Sequence, residues 1–103
     1  MSTGYLTIMR IKGDPDELEG TYEQFSDALE EVGRDHGLIL HAAAKSEDGL
    51  LVTNLWPSKQ ESEAASEDPR RLQALGQAQL DPSQIERQHY AVGNWYPGPG
   101  AKR

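Results

Sequence analysis

Residues 38–56 constrain the fold of this chain more than any other stretch. Two apolar runs, Leu-Ile-Leu-His-Ala-Ala-Ala and Leu-Leu-Val-Thr-Asn-Leu-Trp, stand on either side of an Asp48-Gly49 pair. Such a pair is a strong signal for a tight β-hairpin, because both residue types tolerate a positive φ. We therefore predict two antiparallel strands joined by a type I′ turn at Asp48-Gly49.

The length of the hairpin loop decides which side chains share a face of the sheet, because successive side chains of a strand point to opposite faces. A loop of two residues (48–49) or four (46–49) places His41 on one face with Asn54 and Trp56, whereas a three-residue loop with a bulge places it on the other. Asp-Gly favours the even loops, so we predict the shared face. The opposite face would carry the other side chains: Leu38, Leu40, Ala42, Ala44, Leu51, Thr53 and Leu55. Since the first strand is apolar on both sides, we expect both sides to be covered.

The chain before the hairpin is predicted to form a strand and a helix. Residues 5–12 alternate in type and are rich in β-branched and aromatic side chains. Asp14 can cap a helix that Pro15 begins, at a position where a missing N–H is harmless. Gly33 and Gly37 mark its end. One apolar stripe, spaced by three and four residues, would face the sheet: Leu18, Tyr22, Phe25, Leu29 and Val32.

A second helical region follows the hairpin. Ser58 can cap it, but before Asp68 its only apolar residues are Ala64 and Ala65, so we expect this part to bury little surface. Asp68-Pro69 would then restart the helix. The packing face predicted for the restarted helix consists of Leu72, Leu75, Ala78 and Leu80.

The last part of the chain is predicted to be a strand and a tail. Residues 85–95 mix polar and apolar types, as an antiparallel or edge strand does. We predict one domain over residues 1–96 and a Pro/Gly tail over residues 97–103, which cannot join a ladder. Trp95 and Tyr96 are adjacent large aromatic residues, so we expect them to be buried or at an interface.

The composition limits the partners that this protein can have. The formal net charge is −7, and nine of the seventeen acidic residues lie within residues 14–35. This pattern predicts a solvated helix face and argues against nucleic acid or an anionic membrane as partner. The chain has no cysteine and no stretch long enough to span a bilayer. Its first residues, Met-Ser-Thr-Gly, are neither basic nor apolar, so we expect no signal peptide. We therefore expect a cytoplasmic protein without disulfide or thiolate chemistry.

The predicted order of elements is βαββαβ, which is a ferredoxin-like arrangement of the α+β class. It forms a four-stranded antiparallel sheet with two helices on one face. The other face needs a cover, and a second copy of the same chain is the simplest one. We therefore expect a homodimer.

This order resembles the dimeric α+β barrel superfamily, given the Asp-Gly hairpin, the Trp that ends the third strand and the Trp-Pro-Ser-Lys-Gln-Glu step into the second helix. Within that superfamily the chain is similar to the small bacterial proteins grouped with antibiotic biosynthesis monooxygenases, in particular to uncharacterised members with a second strand of the Leu-Leu-His-Ala-Ala type. The resemblance covers roughly residues 5–92. It implies a homodimeric barrel in which each subunit holds a pocket between its sheet and its helices.

The resemblance also implies an activity. Characterised relatives include cofactor-free oxygenases that convert phenolic polycycles to quinones with an Asn and a Trp on or near the third strand, and Asn54 and Trp56 match those residue types. Other relatives degrade haem with a His on the second helix, where this chain has Ala65, so we expect no haem and no other cofactor. Relatives also have aromatic residues at the positions of Ser62 and Ala65, so the helix side of the pocket should be unusually open or filled by another group. The substrate pocket would include Tyr22, Phe25, Ser62 and Ala65.

His41 is the strongest candidate for chemistry, because it is an imidazole on an otherwise apolar strand. As a general base it could deprotonate a phenol, and the anion could give an electron to oxygen without a cofactor. Asn54 or the Trp56 N–H would then stabilise the oxyanion. The alternative is a neutral His41 held by a structural partner or at the dimer seam. His41 and His89 do not form a convincing metal site, since no third ligand stands at a diagnostic spacing.

Two functions stay open from the sequence. The first is a cofactor-independent, monooxygenase-like enzyme that acts on a small aromatic, phenolic or apolar compound. The second is a non-catalytic homodimeric module that binds a ligand or another protein. An enzyme needs a closed pocket lined by His41 or another titratable group, whereas a module would have a filled pocket and a His41 hydrogen-bonded away from it.

Overall fold

The computed structural model describes residues 2–100, and within them the chain forms four strands and three α-helices. A single 3-10 turn (Pro82–Gln84) precedes the last strand. Residues 101–103 of the predicted tail lie outside the described residues. The elements in chain order are β1 (Ser2–Lys12), α1 (Pro15–Asp35), β2 (Leu40–Ser46), β3 (Gly49–Trp56), α2 (Lys59–Ser66), α3 (Pro69–Gln77) and β4 (Ile85–Trp95).

The four strands form one sheet in the order β2-β3-β1-β4, and every neighbouring pair is antiparallel. The helices cover one face of this sheet, where Leu18 of α1 packs on Ile11 and Leu50, and Ala65 of α2 packs with Val32 and Trp56. The predicted α+β, ferredoxin-like class is therefore confirmed, with the second helix divided into α2 and α3 as Asp68-Pro69 indicated. The homodimer stays a prediction.

The hairpin turns one residue earlier than we predicted. Ser46 pairs with Gly49, so the two turn residues are Glu47 and Asp48, and neither has a positive φ. The predicted type I′ turn at residues 48–49 is therefore wrong. Gly49 is required for a different reason: a Cβ at this position would overlap the carbonyl oxygen of Ile11 on β1. The pairing still follows an even loop, so the prediction of which residues share a face is confirmed.

The helices begin at caps that the sequence indicated. Asp14 Oδ1 accepts hydrogen bonds from the backbone N–H groups of Asp16 and Glu17, at 2.9 and 3.3 Å, and satisfies donors that the first turn of α1 leaves free. Ser58 Oγ caps α2 by accepting from Glu61 N at 3.2 Å. These caps fix where α1 and α2 leave the sheet.

The second helical region differs from the prediction in one respect. The prediction that α2 buries little surface agrees with the structure, since only two small residues of this helix, Ser62 and Ala65, are buried. We expected Leu72 on the packing face of α3, yet it is 55% exposed. The buried residue of α3 is Ala74, and Leu75 lies beside it on the side that faces the sheet.

The outer face of the sheet and the edge strand β2 are exposed in the single chain. All seven residues of β2 are exposed, so our expectation that both of its sides are covered is wrong within one chain. Leu40 and Tyr90 project large apolar surfaces from the outer face. Leu38, predicted on that face, instead precedes β2 and packs with Val32 and Trp56 on the helix side.

The two C-terminal aromatic residues differ in their contacts. Trp95 is half-buried and its Nε1–H donates to the carbonyl oxygen of Thr3 at 3.1 Å. Tyr96 is 79% exposed, so it is not buried within the chain, and its alternative place at an interface stays a prediction. In the part of the chain that the structure describes, no helix combines the length and the apolar character needed to cross a membrane.

Candidate active site

A cavity of about 600 Å³ lies between the sheet and the helices. Ligand pockets in proteins commonly measure roughly 300–1,000 Å³ and have mainly apolar walls with a few convergent polar groups. This cavity has that character. Its apolar walls come from the sheet and from α1 and α3, and they include Met9, Val52, Trp56, Phe25, Leu29 and Leu75.

Three polar side chains converge on the wall that β2, β3 and α1 share. His41 Nε2 lies 2.9 Å from the hydroxyl of Tyr22, and His41 Nδ1 lies 2.6 Å from Asn54 Oδ1. The rings of Tyr22 and His41 stack, with centroids 5.8 Å apart and an angle of 10° between their planes. His41 faces Asn54 because the hairpin pairs these two residues directly, and Tyr22 reaches them from the inward stripe of α1. The result is a continuous Tyr22–His41–Asn54 chain.

The hydrogen-bond partners of His41 indicate which of its ring nitrogens donates a proton and which accepts one. An amide oxygen can only accept, so Nδ1 carries the proton that is donated to Asn54 Oδ1. With this proton on Nδ1, Nε2 can accept a hydrogen bond from the Tyr22 hydroxyl. Burial raises the pKa of Tyr22 to about 12, and nearby Arg71 opposes this rise, so Tyr22 keeps its proton at neutral pH. His41 therefore lines the cavity with both ring nitrogens engaged, Nδ1 by Asn54 and Nε2 by the Tyr22 hydroxyl.

The cavity is open on one side. His41, which lines the cavity from the edge strand β2, is exposed. The pocket is not closed, as the enzyme hypothesis requires, and it is not filled with side chains, as the module hypothesis requires. His41 lines this pocket, as expected of an enzyme, but both of its ring nitrogens have partners within the chain, as expected of a module. Neither description fits alone.

The other residues that the sequence proposed for the site are divided between two cavities. Trp56, Phe25 and Ala65 line the large one. The indole N–H of Trp56 donates to Thr7 Oγ1 at 3.3 Å, so this donor is already engaged, and the Asn54 side-chain NH2 is the donor left for an oxyanion. Ser62 lines a second, smaller cavity, in which His89 lies near Tyr5.

Arg71 lines the large cavity, and the sequence analysis missed it. The cue was the spacing of Arg71, Ala74, Leu75 and Ala78, which is the i, i+3, i+4, i+7 pattern of one helix face. Its neighbour Arg70 instead lies in an ion-pair network, so the two arginines have different surroundings.

That network joins the helices that form the cavity wall. Arg70 donates to Asp68 at 2.8 and 3.1 Å and to Asp35 at 2.9 Å, and His36 Nε2 lies 3.1 Å from Asp68. The hydrogen bonds from Arg70, followed by the one from His36, hold the pKa of Asp68 well below its usual range. The network links the C-terminal end of α1 to the start of α3. It thereby fixes the position of the helix that carries Arg71.

No protein-family model and no curated protein sequence matches this chain. Solved structures do match. Rv0793 from Mycobacterium tuberculosis superposes with a TM-score of 0.71 at 15% sequence identity, over 91% of this chain and 99% of that one. A monooxygenase from the gene ActVA-Orf6 of Streptomyces coelicolor, in complex with the ligand nanaomycin D, gives a TM-score of 0.69 at 19% identity, over 93% and 94% of the two chains.

SnoaB, a cofactor-independent oxygenase from Streptomyces nogalater, gives a TM-score of 0.59 at 14% identity, over 94% of this chain and 96% of its own. A putative antibiotic biosynthesis monooxygenase from Nitrosomonas europaea gives 0.67 at 18% identity, over 94% and 95%. The resemblance drawn from the sequence is thus confirmed for the fold, which is that of the antibiotic biosynthesis monooxygenase type. At these identities the likeness concerns the fold alone, because one fold hosts many functions.

Proposed function

We propose that this protein is a cofactor-independent, monooxygenase-like enzyme that acts on a small aromatic or phenolic compound. The observation that carries the proposal is the Tyr22–His41–Asn54 hydrogen-bonded chain on the wall of a large, mainly apolar cavity. Such a cavity suits a flat apolar ligand, and the chain supplies a base at the wall. The oxygenases among the similar folds add support by analogy.

The first step is proton removal from the substrate hydroxyl. That proton passes to the Tyr22 oxygen while the Tyr22 proton passes to His41 Nε2, whose ring then carries a positive charge. Asn54 Oδ1 accepts from Nδ1 throughout, which keeps the imidazole oriented. A tyrosine whose pKa is about 12 does not lose its own proton permanently, so it serves as a relay rather than as the final base.

The second step uses oxygen as the oxidant. The substrate anion gives one electron to O2, and the resulting radicals combine into a peroxide at the opposite ring carbon, which His41 protonates. Loss of water then leaves a carbonyl, so one oxygen atom enters the product and the other leaves as water with two substrate hydrogens. An anthrone thus becomes an anthraquinone without an external reductant. The Asn54 amide NH2 is the donor that would stabilise the developing oxyanion.

The proposal is tested by turnover of 1,8-dihydroxyanthrone, followed by oxygen uptake and by quinone absorbance. General acid–base catalysis contributes about 10²–10⁴-fold, so we expect His41→Ala to lower kcat/KM by at least about 100-fold. Tyr22→Phe, which removes only the relay hydroxyl, should lower it by less. His89→Ala is the matched control, because His89 lies outside the large cavity. Wild-type rates no higher than those of buffer, or equal losses in His41→Ala and His89→Ala, would contradict the proposal.

The second candidate function is a binding module. It is favoured by one observation, namely that both ring nitrogens of His41 have partners within the chain. Under this hypothesis His41→Ala leaves a polar partner unsatisfied and lowers the free energy of unfolding by about 1–3 kcal/mol, with no reaction to lose. The turnover assay separates the two functions, because only an enzyme has a reaction that this variant can lose.

A further inference from the structure

Five titratable side chains line the large cavity, and their charges do not cancel. Glu30 and Arg34 form an ion pair at 3.2 Å on the exposed side of α1. Tyr22 and His41 are hydrogen-bonded to each other. The fifth is Arg71, which reaches the cavity from α3. After the pairs are matched, the cavity wall retains one positive charge.

Arg71 has no counterion among residues 2–100. No carboxylate of this part of the chain lies within 4.0 Å of its guanidinium, and its one hydrogen bond there goes to the carbonyl oxygen of Ser66 at 3.3 Å. Arg87 of β4 is close enough to repel it. Burial first, and then this repulsion, lower the pKa of Arg71, yet a guanidinium stays protonated in proteins. A half-buried cation without an anion is costly unless a ligand supplies the missing charge.

We propose that the cavity binds an aromatic ligand through an anionic oxygen that Arg71 holds. This inference deepens the proposed function, and it rests on the same cavity. The partner is a carboxylate or an ionised hydroxyl on an otherwise apolar ring system. A guanidinium matches such oxygens with charge-assisted hydrogen bonds, which are stronger than neutral ones and gain strength where water is excluded. Arg71 is then a specificity-determining residue that distinguishes anionic from neutral aromatic compounds.

The geometry places the anionic oxygen close to the relay. Arg71 interacts electrostatically with the Tyr22 hydroxyl, which in turn contacts His41. A ligand held at Arg71 therefore has its ring in the apolar part of the cavity and its oxygen near Tyr22. The hydrogen bonds from Arg70 to Asp35 and Asp68 hold the start of α3, the helix that carries Arg71, against the end of α1.

Three naphthalene probes of nearly equal size test the inference: 2-naphthoate, 2-naphthamide and 2-naphthol. Their affinities for the full chain are measured by ligand fluorescence at pH 7 and at fixed salt. We expect the wild type to bind 2-naphthoate at least about tenfold more tightly than 2-naphthamide, since one charge-assisted bond distinguishes them. Arg71→Met should remove this difference and leave 2-naphthamide binding unchanged. Lys59→Met is the control, because it removes one positive charge from the exposed surface of α2.

The 2-naphthol arm identifies the source of the anionic oxygen. If binding of 2-naphthol strengthens as pH rises towards its ionisation, and Arg71→Met abolishes this gain, the site takes an ionised hydroxyl. A preference for 2-naphthoate alone identifies a carboxylate. Either outcome supports the inference.

Three results would overturn it. The first is equal affinity of the wild type for 2-naphthoate and 2-naphthamide, which needs no variant and so stands even if Arg71→Met fails to fold. The second is an equal loss of both ligands in Arg71→Met, which would show that Arg71 only shapes the cavity. The third is no binding of any probe. If the protein prefers 2-naphthoate but does not turn over 1,8-dihydroxyanthrone, the inference about Arg71 stands and the proposed enzyme function is contradicted. If it turns over 1,8-dihydroxyanthrone but shows no preference for 2-naphthoate, the enzyme function stands and the inference about Arg71 is contradicted.

Discussion

Gly49→Ala is expected to be the most damaging single methyl addition in the hairpin. Gly49 begins β3 and pairs with both Ser46 of β2 and Lys12 of β1, so two neighbouring strands meet at this residue. A Cβ here would overlap the Ile11 carbonyl oxygen and would lie 2.9 Å from the carbonyl carbon. Backbone atoms cannot rotate away as a side chain can, so the strands must separate.

The loss in the free energy of unfolding can be estimated from the backbone hydrogen bonds that break when β1 and β3 separate. Moving the end of β1 away from β3 disrupts the pairing of Lys12 with Gly49 and the adjacent hydrogen bond from Gly13 N to the carbonyl oxygen of Asp48, at 2.9 Å. Two backbone hydrogen bonds contribute about 1 kcal/mol each, and residual angle strain adds about 1 kcal/mol. We therefore expect a loss of about 3 kcal/mol, which is a large part of the roughly 5–15 kcal/mol by which a domain is stable.

Urea denaturation followed by tryptophan fluorescence, at one fixed protein concentration, measures this loss. Gly20→Ala is the matched control, because Gly20 lies inside α1 and an added Cβ meets no atom within 4 Å. That variant should gain about 0.5–1 kcal/mol, since alanine favours a helix over glycine. A Gly49→Ala protein as stable as the wild type would refute the close approach of β1 and β3 on which the estimate depends.

Three further predictions concern the assembly, the tail and the cavity. Light scattering at micromolar concentration should give about twice the chain mass of 11.4 kDa, because the exposed outer face of the sheet favours a second copy, and a monomer mass would exclude the barrel. Deleting residues 95–103 should lower the melting temperature, since it removes the Trp95 hydrogen bond to Thr3, and an unchanged melting curve would show that the segment only extends from the fold. Stability should fall as pH rises from about 10, the unfolded pKa, towards the folded pKa of about 12, because the unfolded chain releases the Tyr22 proton first. Alkaline urea denaturation should show a smaller fall for Tyr22→Phe.

The face of the sheet that His41 occupies could be predicted, because it depends only on whether the hairpin loop has an even or an odd number of residues. Any even loop places His41 on the same face as Asn54. The prediction of a shared face is therefore confirmed, although the turn forms one residue earlier than expected. The turn itself could not be predicted from Asp48-Gly49, because Gly49 is needed for the approach of β1, a strand distant in sequence. Long-range packing here changed the local preference.

The place of Arg71 in the cavity wall could not be predicted from the apolar pattern of α3, because Arg71 is charged. Leu72 and Leu75 suggested one face of α3, but small Ala74 permits closer approach, and the helix therefore turns Ala74 inwards and leaves Leu72 exposed. Arg71 is on the inward face with Ala74. A charged residue on the cavity-facing side of a helix is unusual, because charged side chains are mostly exposed to water. Such exceptions are expected at functional sites.

The protein's overall charge and the charge of Arg71 have opposite signs, and they should act on different rate constants. The net charge of −7 repels an anionic ligand in solution, whereas Arg71 acts only once the ligand has entered the cavity. Raising the ionic strength from about 0.01 to 0.15 M shortens the Debye length from about 30 to about 8 Å, which screens the outer field far more than a contact inside the cavity.

We therefore expect stopped-flow fluorescence to show 2-naphthoate associating faster as salt is added, with a smaller change in its dissociation rate. Neutral 2-naphthamide is the control and should show no change in either rate. Slower association of 2-naphthoate in salt would mean that a positive surface steers the ligand, and the separation of outer and inner charge argued for this cavity would be wrong.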